Sequence, residues 1–268
     1  MKEVQISRID ISTQKIEQKR DFVAEEKPLH IFLNQTHYVT ILCSPSQLKE
    51  LAVGHLLSEG VLKSIGDIRE IRLEKDGKCR VRLRPGVDAE KRISVSQPFA
   101  RLIVSACGSP DYWPLSKLID RLNLSKVPLG LTVEARVVLK SVGQLNRLAE
   151  TFRKTGGVHV AALYSANGEL KTLAEDVGRH NAVDKVVGTG LLKRLNFEDC
   201  FLTSSGRLTG DIVLKSARMR IPIVASMTAA TDSGVEAAQR TGLTLVGFAR
   251  GKRMNIFTHS ERIVFKAD

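Results

Sequence analysis

Cys200-Phe201-Leu202-Thr203-Ser204-Ser205-Gly206-Arg207-Leu208-Thr209-Gly210-Asp211 reads as a buried strand that breaks into hydroxyls, a glycine and an arginine before entering a helix. The same alternation continues outward from it. Downstream come a helix over 210–219, a strand over 222–225, a helix over 233–240 and a strand over 243–248. Upstream lie a buried strand over 158–164, turning at Asn167-Gly168, and a helix near 181–187. Strands alternating with helices at this spacing imply βαβ units and a parallel sheet, so the fold class is α/β, a parallel or mixed sheet flanked by helices.

In an open parallel sheet, ligands bind beyond the carboxyl ends of the strands. The residues there are informative. Gly206 and Arg207 lead into a helix N-terminus, as an anion site requires. After Ala225 comes Ser226-Met227-Thr228, and after Val246 comes Gly247-Phe248-Ala249-Arg250-Gly251-Lys252-Arg253. Three loops rich in hydroxyls, glycines and positive charge are expected to line one crevice that holds the phosphates of a nucleotide-like ligand, with Phe248 placed to stack on a base. Glu175 through Lys185 crowds ionisable and amide groups, His180 among them, around a helix start. Such density costs desolvation unless the groups pair or bind something, which points to function; the plainer reading is helix capping with His180 merely exposed.

The first half reads differently. Residues 1–26 are polar and suggest an edge strand plus a flexible arm. Strand-like runs over 28–33 and 38–43 form a hairpin around Asn34–His37. Ser44-Pro45-Ser46-Gln47 then supplies an N-cap, a proline at the first helical position and a capping-box glutamine. The helix that follows carries Leu48, Leu51, Ala52, His55 and Leu56 on one face and ends at Gly60; His55 reads as a core histidine. A second hairpin, 68–74 with 78–84, turns at Asp76-Gly77 and sets Lys78, Arg80, Arg82 and Arg84 on a basic solvent face. Five of the eight prolines fall between 85 and 130, the least regular stretch. A capped helix from Ser141 is expected to bury Leu145, Leu148 and Phe152 and to stop at Gly156-Gly157. The chain thus divides into a smaller N-terminal α+β portion, 1–130, and an α/β core, 131–268.

At 268 residues and 43% hydrophobic the chain can bury a full core, and its net charge of +12 favours an anionic partner. No run approaches the roughly 20 apolar residues of a membrane helix, and Met1-Lys2-Glu3-Val4-Gln5 lacks a signal-peptide core, which places the chain in the cytoplasm with no membrane partner. Aromatic residues are 5% and scattered, so no stacking platform for nucleic acid is evident. The four cysteines form no C-x-x-C pair, and reduced thiols are expected. Cys43, Cys79 and Cys200 read as small core hydrophobes. Cys107, in Leu102-Ile103-Val104-Ser105-Ala106-Cys107-Gly108-Ser109-Pro110, ends an apolar run among small residues, where a thiol can act as nucleophile or sulfur carrier. The deaminase and H-E-x-x-H zinc signatures are missing, so no metal site and no zinc is expected. Spacing leaves open a Cys-His hydrolase pairing Cys107 with His159 or His180.

Taken in order, Pro28–Ile31, Glu50–Gly60, Thr155–His159, Glu175–Lys185, Ser205–Arg207 and Gly247–Arg250 resemble the FdhD family of sulfur carrier proteins required for formate dehydrogenase activity, over about residues 26–259. The resemblance implies a cytidine-deaminase-like core without the zinc site. It implies a sulfurtransferase-like carrier that accepts persulfide sulfur from a cysteine desulfurase and passes it to the molybdenum cofactor, bis-molybdopterin guanine dinucleotide, before that cofactor enters the formate dehydrogenase apoprotein. By motif position Cys107 matches the persulfide cysteine, and the family's cofactor loop corresponds to Phe248, Ala249, Arg250, Gly251, Lys252 and Arg253. Gly206, Arg207 and His180 are the further expected cofactor-binding residues. Where the family usually shows C-G-x-C, Pro110 stands in the second position, so sulfur chemistry here runs through one thiol. The alternative is a non-catalytic chaperone for the guanylated cofactor. A homodimer is the default assembly.

Overall fold

A computed structural model describes residues 1–93, 119 and 124–265. Its centre is a six-stranded sheet in the order β13-β12-β11-β10-β8-β9. Numbered in chain order after the short β7 (Val133–Glu134), the strands are β8 (His159–Ser165), β9 (Leu170–Asp176), β10 (Cys200–Ser204), β11 (Ile223–Ser226), β12 (Thr244–Arg250) and β13 (Arg253–Thr258). β10, β11 and β12 run parallel, as the alternating pattern implies, whereas β8, β9 and β13 are antiparallel to their neighbours. The sheet is therefore mixed. β9 and β13, the edge strands of this sheet, intersperse polar residues among apolar ones, which is why the apolar runs do not reveal them.

Helices cover both faces. α2 (Ala135–Leu148) packs Val138, Val142 and Leu145 on Val160, Ala162, Tyr164, Phe201 and Val246. On the opposite face α4 (Arg179–Leu192), α5 (Gly210–Arg218) and α6 (Asp232–Thr241) bury Val183, Val186, Ile212, Val213 and Ala237 against Ala161, Leu163, Leu202, Val224 and Leu245. Successive residues of one strand, Ala161 and Ala162 for instance, thus enter different cores. Burying a side chain such as Leu202 contributes about 1.5–3 kcal/mol.

The second core continues into the N-terminal half. There the sheet β4-β3-β6-β5 combines β3 (Lys27–Leu33), β4 (Thr36–Cys43), β5 (Ile68–Leu73) and β6 (Lys78–Leu83) with α1 (Leu48–Ser58). α1 and α4 cross in backbone contact: a Cβ on Gly54 would overlap the Asp184 carbonyl, and one on Gly188 would overlap that of Glu50. The tail of the proline-rich stretch is tied down by the buried Arg262, which donates to the carbonyls of Val127 (3.3 Å) and Pro128 (3.0 Å).

Three local expectations are corrected. The first 26 residues hold no flexible arm: β1 (Lys2–Asp10) and β2 (Lys15–Val23) form an antiparallel ribbon, its turn held by Asp10 Oδ1 accepting from the Ser12 and Thr13 amides. Ser44 does not cap α1. The N-cap is Gln47, at φ 51°, while Ser44 is buried and its amide donates to Asp176 Oδ2 at 3.0 Å. The helix expected from Ser141 starts at Ala135, because the apolar positions continue upstream. It breaks at Ala149, where the Glu175 carboxylate accepts from the Thr151 and Phe152 amides and opens the short α3 (Glu150–Thr155). Leu148 is left exposed.

Candidate functional site

One edge of the central sheet collects the ends of β9, β10, β11 and β12 and the start of β8. Side chains lace it together. Ser204 Oγ accepts from the Gly206 amide (3.0 Å), which turns the chain sharply out of β10. The Ser205 amide donates to the Val160 carbonyl and the Val160 amide returns to Ser205 Oγ, each at 2.9 Å. Ser226 Oγ donates to the Gly206 carbonyl (2.7 Å) and accepts from the Thr228 amide (3.0 Å). The Phe248 amide donates to the Thr228 carbonyl at 2.9 Å, and Arg250 Nε donates to the Met227 carbonyl at 2.6 Å. The loops after β10 and β11 and the last residues of β12 are thus one hydrogen-bonded rim, and the hydroxyls singled out from sequence serve its construction.

Gly206, Phe248 and Arg250 meet on this rim. Gly206 is buried with Arg179 passing over it, its would-be Cβ 3.0 Å from Arg179 Cβ. Arg207 and Arg250 are exposed. Phe248 sits at φ 52° and is 40% exposed, so its ring faces solvent at the β12 bulge. Ala249 is core. Gly251, Lys252 and Arg253 do not continue a strand-end loop: Arg250 pairs with Arg253 across a tight hairpin, with Gly251 at φ 58°. They line a groove of ≈ 800 Å³ against α2, together with Arg136, Lys140 and the apolar Leu139, Met254, Ile256, Ile263 and Phe265. The sequence-derived cations therefore divide between the rim and this groove.

His180, at the start of α4, forms an ion pair with Asp211 at the start of α5. Burial opposes ionisation of Asp211, but the His180 hydrogen bond and charge, with Thr209 and the Ile212 amide, outweigh it and hold the carboxyl well below the usual carboxylate range. His159, at the start of β8, lies 3.4 Å from Ser205 Oγ. Burial, then the charges of Arg179 and His180, lower its pKa and favour the neutral imidazole. The rim thus juxtaposes a neutral histidine, a histidine paired with a carboxylate, and arginines.

Most of the crowded stretch Glu175–Lys185 turns inward. Asp176 and Lys185 are an ion pair of 2.6 Å with both side chains fully buried. Asp176 Oδ1 also accepts from the Gly178 amide and Asn181 Nδ2, and Lys185 Nζ donates to the carbonyls of Ser44 and Glu175. Asp184 pairs with Lys215 at 2.7 Å, accepts from Ser58 Oγ at 2.6 Å, and has His55 at 3.4 Å. The desolvation cost of this density is met by internal pairing, which leaves Arg179 and His180 at the rim. His55 therefore packs against a buried carboxylate, a partner that a single helical stretch does not reveal. Asp211 and Lys215 went unremarked in the sequence because their partners lie 31 residues away.

Cys107 lies outside the described residues. Among the described residues no cluster of histidine, cysteine and carboxylate groups is arranged to hold a metal ion, and no helix is long and apolar enough to cross a membrane.

Fold and rim together define a mixed α/β protein whose strand ends form a polar, cationic edge over two facing helix N-termini. The chain belongs to the FdhD/NarQ family, whose model matches residues 24–264. It is 38% identical over 244 residues to the sulfur carrier protein FdhD of Sulfolobus acidocaldarius, covering 91% of each chain. It is 34% identical to the protein of that name from Wolinella succinogenes, over all of this chain and 91% of the relative. The crystal structure of a formate dehydrogenase accessory protein from Desulfotalea psychrophila superposes with a TM-score of 0.75 at 29% identity, covering 98% of this chain and 99% of that one.

Proposed function

We propose that this chain is a sulfur carrier in formate dehydrogenase maturation, acting through a persulfide on Cys107. The observation that carries the reading is the state of the other thiols. Cys43, Cys79 and Cys200 are all buried. Burial, then the Asp176 charge, pushes the Cys43 thiol up to about 11; burial likewise takes Cys79 to about 11 and raises Cys200. A thiol so raised is protonated at neutral pH and a poor nucleophile, which leaves Cys107 to serve. The naming of relatives as sulfur carrier proteins supports the same role.

In this mechanism the Cys107 thiolate attacks the terminal sulfur of a cysteine desulfurase persulfide. The donor S–S bond breaks, the donor cysteine leaves as thiolate, and Cys107-S-SH forms without net oxidation. The carrier then delivers sulfide to the molybdenum of bis-molybdopterin guanine dinucleotide, the bound substrate. A thiol reductant supplies two electrons, an oxygen ligand leaves as water, and Cys107 returns to thiol. The rim, with Arg207, Arg250 and His180, and the turn Gly251-Lys252-Arg253 would hold the guanine nucleotide ends, with Phe248 stacking on a base. The sulfurated cofactor passes to the formate dehydrogenase apoprotein in the cytoplasm. The core is then a deaminase-like scaffold put to use without zinc.

The test is chemical. Incubation with a cysteine desulfurase and cysteine should add sulfur to Cys107 by mass spectrometry, and Cys107→Ala should abolish formate dehydrogenase activation. An unmodified Cys107 together with full activation by the alanine variant would replace the carrier by a cofactor chaperone.

A further inference from the structure

β13 is the outermost strand of the central sheet and, among the described residues, pairs with β12 alone. The two edges of that sheet differ. On β9 alternate carbonyls are taken by side chains: that of Lys171 accepts from Lys193 Nζ (3.4 Å), that of Leu173 from Gln47 Nε2 (3.3 Å) and that of Glu175 from Lys185 Nζ (3.1 Å). Among the described residues no side chain bonds to the backbone of Arg253 through Phe257, so the outer edge of β13 presents a row of donors and acceptors. The middle of the strand, Met254-Asn255-Ile256-Phe257, has no charge or proline of the kind that deters edge pairing. It also leaves large apolar groups in water: Ile256 is 36% exposed, Phe257 37%, and Phe265, which shares a groove with Ile256, 77%.

We propose that an extended, acidic segment of a partner protein adds to β13 as a further strand of the central sheet. The groove between β13 and α2 sets its chemistry. Met254 and Ile256, two residues apart, enter the groove from one face of the strand, whereas Phe257 lies on the other face, against Gly247. A strand laid beside β13 presents every second side chain to that same groove. Arg136, Lys140, Lys252 and Arg253 line it and, among the described residues, no carboxylate does. The groove-facing positions of the segment are therefore apolar opposite Met254, Ile256 and Phe265 and acidic opposite the cations. Main-chain hydrogen bonds to the edge supply the part of the affinity that is independent of sequence. A second copy of this chain, at a net charge of +12, is a poorer electrostatic match than an acidic partner.

The test uses the full chain and a fluorescent synthetic peptide, Val-Thr-Glu-Thr-Val-Thr-Glu-Thr, whose alternate residues make one apolar and acidic face, with binding read by anisotropy. It should bind, and the same peptide with lysine for glutamate should not. Lys140→Glu, an exposed change on α2 outside the residues assigned to the nucleotide, should weaken binding about fivefold as an attraction becomes a repulsion. Only every second amide of an added strand faces the edge, so N-methylation of the valines and glutamates and N-methylation of the threonines should differ, one abolishing binding and the other sparing it. None of these readouts depends on Cys107 carrying sulfur. No binding at ~1 mM peptide, or equal behaviour of the two methylated peptides, overturns the proposal. Displacement by guanosine diphosphate with both methylated peptides still bound assigns the groove to the nucleotide and overturns it as well. So does a crosslink between chains through Ile256→Cys in Cys107→Ser protein, which assigns the edge to a second copy.

Discussion

Lys215→Met tests whether the buried charges between α1, α4 and α5 hold this fold together. Lys215 Nζ lies 2.7 Å from Asp184 Oδ2, 3.0 Å from its Oδ1 and 3.9 Å from Glu59 Oε1, and all three side chains are 1–2% exposed. Coulomb's law at an effective dielectric constant of 20 gives roughly 6 kcal/mol at ~3 Å, most of it offset by desolvation. Removing the lysine spares the protein one desolvation cost but leaves Asp184 with only Ser58 and His55, and Glu59 without its closest lysine. The expected loss is about 3–5 kcal/mol at pH 7. Burial opposes ionisation of Asp184, but Lys215, with His55, holds its carboxyl well below the usual carboxylate range. A depressed carboxylate contributes stability that is present above its unfolded pKa and lost as pH falls through the folded one, so the wild-type contribution is flat from neutral pH to about 4. Lys215 is shifted the other way, raised above 10.5 by its carboxylate partners against the opposing effect of burial, so its contribution is present below that value. Without the lysine, burial dominates at Asp184 and lifts its pKa above the unfolded value. The deficit of the variant should then shrink between pH 7 and 5, as Asp184 takes up a proton in the fold. Urea denaturation followed by circular dichroism at both pH values measures this. A loss under ~1 kcal/mol at pH 7, or one equal at both pH values, refutes the reasoning. Lys215→Met with Asp184→Leu should recover part of the loss.

Gly188→Ala should cost ~3 kcal/mol or more, because its methyl overlaps the Glu50 carbonyl and only separation of two packed helices relieves it; a thermal melt shifted by less than a few degrees contradicts this. Arg250→Ala should weaken guanine nucleotide binding by calorimetry while leaving stability within ~1 kcal/mol, since the side chain is exposed and gives up one hydrogen bond; unchanged affinity removes the β12 end from the site. A thiol reagent at neutral pH should label one of the four cysteines in the native chain and all four after unfolding. Rapid native labelling of Cys43, Cys79 or Cys200 would undo the assignment of the reactive thiol to Cys107.

The apolar runs of β8, β10, β11 and β12 and the periodic helices between them were legible in the sequence, because a strand buried on both faces reads as a continuous hydrophobic stretch. The basic face of β6 was legible too, and the structure pairs Arg80 with Glu74 and Arg82 with Glu70. β9, β13 and the second strand of the ribbon were not legible, because they bury one face or less and their apolar residues are interspersed with polar and charged ones. Among the candidate site residues, Gly206 and Arg207 stood out by their place after a strand. Asp211 did not, because its role depends on His180 reaching it from another helix.

By itself the sequence determined the family and the parallel centre of the sheet, since both are written in residues that are neighbours along the chain. The tertiary structure alone decided which charges are structural. Asp176, Asp184 and Lys185 look like site residues until Asp176 is seen paired with Lys185 and Asp184 with Lys215, because a buried ion pair is defined by its partner and its distance from water, and neither is a property of a local stretch of chain. It also sent Lys252 and Arg253 across a tight hairpin toward α2, a separation from the rim that follows from β13 returning along β12.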